Sequence, residues 1–227
     1  IFPTSFYFLT AYSEGLFLLS VVATFYFARR NLLLATLFAA AASATRLVGL
    51  ALVLGLIAEV WLTSGINKKT WYVLFAPAGF VAYCFFLYIQ TADPFYFVTA
   101  QTHWLRSLAP PGVGFWETIK SLVIGDLITK NLNAFLDLLF AIFGAGMVIR
   151  SFRFLPLSYG IYGLISILLP IVTPSLSSMP RFLLPIFPIF ILIAFIKNQY
   201  VIFAYQLISI MILSEFSSLF ISGYWVS

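Results

Sequence analysis

Residues 32–63 read LLLATLFAAAASATRLVGLALVLGLIAEVWLT, and this stretch decides the fold class. Its only charged residues are Arg46 near the middle and Glu59 near the end. A transmembrane helix needs about 20 residues, so this longer run suits two shorter helices that enter the bilayer and return. Arg46, followed by Gly49, lies where the chain would turn. The stretch predicts a re-entrant helical hairpin, which is tolerated at membrane depth only inside protein or beside a wet cavity.

The composition of the whole chain indicates a membrane protein. Of its 227 residues, 63% are hydrophobic and 8% are charged, whereas a soluble domain carries about 25% charged residues. So few charges cannot form a water-facing shell, and lipid must therefore solvate much of the surface. The net charge of +5 comes from small basic clusters beside apolar runs. That placement indicates loop anchoring and no nucleic-acid partner.

Apolar runs of membrane-spanning length predict about six spans in addition to the hairpin. They lie at about 5–27, 71–91, 132–149, 155–173, 181–197 and 200–222. The positive-inside rule places the short basic junctions in the cytoplasm, and both ends of the hairpin carry such a junction. The expected fold is therefore an all-α polytopic membrane protein, with residues 1–227 forming a single transmembrane domain.

The segment 92–131 is predicted to be an extracytoplasmic loop. Within it, residues 115–124 mix apolar and charged side chains at helical spacing. An amphipathic helix on the outer membrane surface and a mere connector are both open readings of this segment.

Five charged residues on separate elements are predicted at one depth. Counted from the basic junctions at 1.5 Å per residue, all lie roughly 20–24 Å above the cytoplasmic face. They are Glu14, Arg46, Asp137, Arg181 and Glu215. An isolated charge in hydrocarbon costs several kcal/mol, and pairing around a water-filled chamber open to the outside would relieve that cost. The alternative is that each charge snorkels or bonds a neighbouring helix on its own.

The expected structural ion pair within this layer joins Arg46 to Glu14 or to Asp137. Glu59, near the end of the hairpin, is predicted to be a solvated residue. Gly144 and Gly146 are predicted to serve helix packing.

Metal and nucleotide chemistry are not expected for this chain. His103 is the only histidine and Cys84 the only cysteine, which does not suit a zinc site. The sequence contains no Walker loop and no G-x-G-x-x-G motif. We therefore expect no metal and no cofactor.

Short strings that follow one another along the chain resemble a known family. They are FPTSFYFLTAYSEGLF (2–17), SATRLVG (43–49), ADPFYF (92–97), QTHW (101–104) and SMPRF (178–182). Together they resemble the PIG-V-type, GPI mannosyltransferase 2-like family of GT-C membrane glycosyltransferases. The chain departs from the family strings at Leu47 and Val48, and at Ala92, where the family has glycine.

The resemblance implies a GT-C architecture and an extracytoplasmic reaction. Such an enzyme transfers a mannosyl or other hexosyl residue, with inversion, from a polyprenyl-phosphate carrier to a glycolipid or glycan acceptor. The family usually carries a catalytic acid in its first outer loop, which would precede Ile1. The resemblance therefore implies an N-terminally truncated chain that lacks the main catalytic carboxylate and is inactive alone.

The substrate-binding roles that the resemblance suggests fall on five residues. Arg181, at the outer membrane level, is the first candidate for the departing phosphate, and Arg46 is the second. Asp93 is expected to position sugar or acceptor hydroxyls. Gln101 and Trp104 are expected to line the sugar site, although Trp104 equally suits the interfacial aromatic belt. Glu14 is expected to be the structural partner of Arg46.

Two other functional classes remain open at this point. Buried charges on several helices also mark transport pathways, so a transporter or flippase of lipid-linked substrates is the alternative. A purely structural membrane subunit is the third. The expected partners are membrane lipid, the polyprenyl-phosphate sugar and the acceptor. The expected location is a bacterial or archaeal plasma membrane, or the endoplasmic reticulum membrane of a eukaryote.

Overall fold

The computed structural model describes residues 1–65, 70–102, 107–124 and 128–224, with backbone only for Ser64 and for residues 128–131. Regular structure in these ranges is helical, without a strand. Short 3-10 helices span Ser5–Phe8 and Thr70–Phe75. The α-helices are α1 (Glu14–Ala28), α2 (Leu32–Thr45), α3 (Gly49–Ser64), α4 (Ala78–Thr91), α5 (Tyr96–Thr102), α6 (Val113–Ile124), α7 (Ile128–Phe154), α8 (Leu157–Ile171), α9 (Met179–Leu183), α10 (Phe187–Ala194) and α11 (Gln199–Ile221).

Three helical stretches within the described ranges are long and apolar enough to cross a membrane. They are Thr70–Thr91, Leu132–Phe154 and Gln199–Ile221. Many of their large apolar side chains, such as Trp71, Phe85 and Phe203, are exposed. This exposure suits contact with lipid and gives the chain its membrane character. The number of six spans stays a prediction.

Four further apolar helices are shorter than a typical span. Helices α1, α2, α3 and α8 contain 15, 14, 16 and 15 residues. At 1.5 Å per residue they are about 21–24 Å long, less than the roughly 30 Å of a bilayer's hydrocarbon core. If one of these helices spans the membrane, the residues before and after it must therefore cover the rest of the bilayer thickness.

Two predicted spans are wrong as continuous helices. The run 181–197 is broken, because α9 ends at Leu183 and α10 begins only at Phe187. Pro185 lies in the break, and proline lacks the N–H that would continue the helix. The run 5–27 is likewise divided, since the 3-10 helix is followed by non-helical residues and α1 begins only at Glu14.

The hairpin segment contains a helix break at the predicted position. Helix α2 ends at Thr45, Arg46 has an extended backbone, and α3 begins at Gly49. A Cβ atom on Gly49 would lie 2.5 Å from the Ala42 carbonyl oxygen, so the turn requires glycine. The re-entrant path of this hairpin through a membrane stays a prediction.

Helix α4 packs against α2 at backbone distance. A Cβ atom on Gly79 would lie 1.8 Å from the carbonyl oxygen of Ala40. The Ser43 hydroxyl joins the two segments, since it lies 3.0 Å from the Ala76 carbonyl oxygen and accepts the N–H of Phe80 at 3.2 Å. Small residues on α2 thus permit the close approach.

Two hydrophobic clusters form the interior. One joins the N-terminal segment to α7, α9, α10 and α11 through residues such as Phe2, Phe140 and Phe216. The other joins α1, α2 and α3, with Tyr162 from α8. Helix α8 contacts both α3 and α7 and so connects the two clusters.

The predicted packing and surface features have mixed outcomes. Gly144 does serve packing, because a Cβ atom there would lie 2.5 Å from the Leu183 side chain. A Cβ atom on Gly146 would meet no atom of the described residues within 4 Å, so Gly146 does not. Residues 115–124 are helical as part of α6, which buries Thr118 and exposes Trp116 and Val123. The placement of α6 on the outer membrane surface stays a prediction.

The re-entrant hairpin predicts that its two ends lie on the same side of the membrane. We expect Arg30→Cys and Lys68→Cys, in a Cys84→Ala background, to react with a membrane-impermeant maleimide only after cells are permeabilised. The control is Ser175→Cys. Ser175 follows the predicted span 155–173, whose other end carries the basic residues Arg150 and Arg153, so it is predicted to lie outside and should react in intact cells. Opposite accessibility of the two hairpin ends would show a single crossing instead.

The α2–α4 contact predicts a strong effect of one added methyl group. Gly79→Ala should lower the free energy of unfolding by about 1–3 kcal/mol, because the backbone must separate to admit the Cβ atom. Thermal unfolding in detergent measures the effect. Gly146→Ala is the matched control, and we expect it to be neutral or stabilising, since alanine favours a helix interior by about 1 kcal/mol over glycine. Equal stability of the two variants would contradict the close approach.

Candidate functional site

The site is built on Glu14, the first residue of α1. Its side chain is 0% exposed, and its Oε1 atom accepts hydrogen bonds from Nη1 of Arg46 and from Nε of Arg181, each at 2.5 Å. The Glu14–Arg46 ion pair that the sequence predicts is therefore present. The contact of Arg181 with the same carboxylate oxygen is a finding of the structure, since the sequence predicted only a shared depth.

Three separate segments bring these charges together. Arg46 follows the last residue of α2 and has an extended backbone, with φ −151° and ψ 144°, that takes the chain out of the helix. Arg181 lies in α9, which follows the turn after α8. A carboxylate in the first turn of a helix also interacts favourably with the positive end of the helix dipole. The start of α1 is thus a suitable place for Glu14.

Two tyrosine rings hold the Arg181 guanidinium in place. Its Cζ atom lies 4.6 Å from the ring centroid of Tyr7 and 4.4 Å from that of Tyr12. Cation–π contacts of this kind contribute about 0.5–2 kcal/mol each. They restrict the movement of the guanidinium between the two rings. Sequence reasoning missed Tyr7 and Tyr12, because it placed both in the predicted span 5–27 and had no means of bringing Arg181 beside them.

The charges at this site do not cancel. One carboxylate faces two guanidiniums, so Glu14, Arg46 and Arg181 together carry a net charge of +1. Each guanidinium has five N–H donors, and Glu14 accepts one from each. The side chains of Arg46 and Arg181 are only 14% and 15% exposed. An anion bound here would therefore contact a positive charge that is partly removed from water. Electrostatic attraction is stronger there than in water, because the effective dielectric constant is lower.

A cavity of about 940 Å³ lies against the two arginines. Its polar wall includes Arg46, Arg181, Ser178 and Gln101. Much of the remaining wall is apolar or aromatic and comes from α4, α5, α8 and α9. These lining residues include Phe80, Tyr83, Phe97, Val98, Leu169, Pro170 and Phe182.

The other sequence-predicted substrate residues have different positions. Gln101 lines the cavity. Asp93 is not among the lining residues, and its Oδ1 atom accepts the N–H of Phe95 at 2.8 Å in a turn after α4. A role of Asp93 in binding hydroxyls stays a prediction. Trp104 and His103 lie outside the described residues.

Asp137 contributes to the site through α9 and not through Arg46. The Arg46 guanidinium pairs with Glu14, whereas Asp137 Oδ1 accepts the N–H of Met179 at 2.9 Å. Asp137 is buried and lines a second, smaller cavity of about 260 Å³. A charged acceptor on α7 thus anchors the start of the helix that carries Arg181.

Glu215 does not share the cavity with the other charges predicted at its depth. Its side chain is exposed on α11 and is not among the residues that line the cavity. Of the five charges predicted at one depth, the structure joins Glu14, Arg46 and Arg181 directly and links Asp137 to the same helix as Arg181. Equal depth along separate helices does not ensure contact, because the rotation of each helix decides which way a side chain points.

The prediction that Glu59 is solvated is also wrong. Its side chain is 2% exposed, accepts a hydrogen bond from Arg29 Nε at 2.5 Å and accepts another from the Ser158 hydroxyl. The hydrogen bond and the charge of Glu59 raise the pKa of Arg29 above its ordinary value. The signal for this pair was present in the sequence, since an acid between Ala58 and Val60 on an apolar helix requires a partner.

Metal ligands are not grouped in the described part of the chain. There, no three His, Cys, Asp or Glu side chains lie together in a way that could hold an ion. The expectations of no metal and no cofactor stay predictions.

Comparisons with family models, with curated proteins and with solved structures give no match to this chain.

The buried carboxylate predicts a large effect on stability. Glu14→Gln should lower the free energy of unfolding by about 3–5 kcal/mol, because it leaves two partly buried guanidiniums without a counter-charge. Chemical or thermal unfolding in detergent measures this effect. Glu215→Gln, an exposed glutamate, is the matched control and should change stability by less than about 0.5 kcal/mol. Similar effects of the two variants would show that the cavity already solvates the arginines.

Proposed function

We propose that this chain is the membrane portion of a glycosyltransferase that uses a lipid-phosphate-linked sugar. The transferred group is a mannosyl or other hexosyl residue, and the acceptor is an extracytoplasmic glycolipid or glycan. The protein is then an integral, multi-pass membrane protein with a GT-C-like arrangement. The observation that carries the proposal is the Arg46–Glu14–Arg181 group on the wall of the large cavity.

The charge of this group favours an anionic ligand. Two guanidiniums on the cavity wall share one carboxylate, so the wall keeps a net positive charge, and Glu14 uses only one N–H of each arginine. Guanidiniums bind phosphate oxygens through paired N–H groups. A phosphate that leaves a sugar gains negative charge during the reaction, and Arg181 and Arg46 would stabilise it there.

The rest of the cavity favours a lipid-linked ligand over a soluble one. Phe80 and Phe97, whose ring centroids lie 5.8 Å apart, form part of an apolar wall with Leu169 and Phe182. A sugar nucleotide would leave such a wall uncovered. A polyprenyl phosphate would place its head beside the arginines and its chain along these side chains.

One backbone feature supports the family resemblance. At Ala92, where the family string has glycine, the backbone has φ 58°. Glycine adopts this left-handed conformation without strain, whereas alanine does so at a cost. The position therefore has the backbone that the family's glycine would suit.

The proposed reaction is a single displacement at the anomeric carbon. The acceptor hydroxyl oxygen forms the new bond, and the bond from the anomeric carbon to the phosphate oxygen breaks. The phosphate departs with the electron pair, and a carboxylate takes the acceptor proton. The cavity lining within the described ranges includes no carboxylate, so we assign the proton acceptor to none of those residues.

A binding experiment tests the phosphate assignment. The purified chain in nanodiscs should bind farnesyl phosphate at least about tenfold more tightly than farnesol, which has the same apolar chain and no phosphate. Arg181→Lys keeps the charge that Glu14 needs but loses the planar fork of N–H donors. We expect it to weaken farnesyl phosphate binding by about tenfold or more, as for one lost charge-assisted hydrogen bond.

The control is a second arginine that is paired with a buried glutamate. Arg29→Lys alters the Arg29–Glu59 pair, which is remote from the cavity, and should leave binding of farnesyl phosphate unchanged. Equal affinity for farnesyl phosphate and farnesol would contradict the proposal.

Sugar transfer from radiolabelled polyprenyl-phosphate mannose, in membranes that express the full gene, tests the reaction. Binding without transfer would favour the transporter alternative.

A further inference from the structure

Ser178 has a buried hydroxyl that no described residue satisfies. The residue is 2% exposed, and within the part of the chain that the structure describes its Oγ atom has no hydrogen-bond partner. Ser178 is also one of the residues that line the cavity beside Arg46 and Arg181. Buried hydroxyls in folded proteins are nearly always hydrogen-bonded, because removing one from water without a new partner is unfavourable. A residue on a cavity wall whose hydroxyl is in this condition is a candidate donor to a ligand that enters the cavity.

The backbone at Ser178 is strained as well. Its φ is 72° and its ψ is 22°, in the left-handed region, which serine rarely occupies. Strain of this kind lowers stability and concentrates at functional sites. Two unfavourable features therefore coincide at one residue, three positions before Arg181.

The helix that follows does not use the Ser178 side chain. A serine before the first residue of a helix ordinarily accepts an N–H of the first turn. Here the Ser178 side chain makes no such bond, and Asp137 from α7 accepts the Met179 N–H instead. Neither the turn nor the helix thus uses the hydroxyl, and the residue lies on the cavity wall. Glycine would adopt the same backbone without strain, so the turn alone gives no reason for a hydroxyl.

We propose that the Ser178 hydroxyl donates a hydrogen bond to an anionic oxygen of the phosphate ligand held by Arg46 and Arg181. This inference rests on the proposed function, since it extends the same site by one neutral donor. The arginines supply charge, and Ser178 supplies a short, directed O–H donor that selects the position of the phosphate. Ser178 is in this sense a ligand-binding residue, and Asp137 is a positioning residue that acts through α9.

The test compares Ser178→Ala and Ser178→Gly in the full chain in nanodiscs. The probes are farnesyl phosphate, inorganic phosphate and farnesol. Both variants should lose about tenfold or more in affinity for farnesyl phosphate, with farnesol binding unchanged. Ser178→Gly should unfold at a higher temperature than wild type because it relieves the left-handed strain. A variant that is more stable yet binds the phosphate ligand less tightly separates a binding role from a structural one.

Ser166→Ala is the matched control, since Ser166 is a buried serine of α8 that does not line the cavity. It should leave binding of farnesyl phosphate unchanged. If Arg181→Lys weakens binding while both Ser178 variants bind like wild type, the inference is wrong and the proposed function stands. If wild type fails to prefer farnesyl phosphate over farnesol, both are wrong. Wild type could also bind inorganic phosphate as tightly as farnesyl phosphate. If both Ser178 variants then lower the affinity for inorganic phosphate, the result supports the role of the hydroxyl and identifies a free phosphate as the ligand.

Discussion

Glu14 holds the structure together at the point where its two hydrophobic clusters meet. Its carboxylate joins Arg46, between α2 and α3 in one cluster, to Arg181, on α9 in the other. A buried carboxylate requires compensation, because removing an ion from water costs several kcal/mol. The same requirement that fixes the helices also leaves one excess positive charge on the cavity wall. Stability and anion binding therefore depend on one group of atoms.

A second buried acid stabilises the opposite end of the same helices. Glu59 joins α3 to Arg29 at the end of α1 and to Ser158 at the start of α8. Fifteen residues separate Glu14 from Arg29, so the two ion pairs lie about 22 Å apart along α1. Because Arg29 is half exposed and Arg46 and Arg181 are not, the second pair suits anchoring at a surface and the first suits a ligand site.

The cavity lies beside helices that pack closely against one another. Gly79 lets α4 approach α2 to backbone distance, and Gly49 lets α3 begin directly beside the end of α2. The cavity lies between α4 and α5 on one side and the end of α8 on the other. Mostly aromatic side chains line the side formed by α4 and α5, and apolar side chains line the side formed by α8. The arginines stand at its polar wall, which is the arrangement an amphiphilic anion needs.

The sequence by itself determined the helical membrane character and the helix break at Arg46, and it limited the expected partner of Arg46 to Glu14 or Asp137. These conclusions follow from local apolar length and from the cost of a charge in an apolar run, both of which can be read one segment at a time. The structure then decided for Glu14. The tertiary structure alone decided that Arg181 shares Glu14, that Glu59 is buried, that Glu215 faces outward and that Ser178 presents a hydroxyl without a partner. These depend on how helices rotate and where prolines such as Pro185 divide them, and such long-range choices leave no periodic signal in the chain.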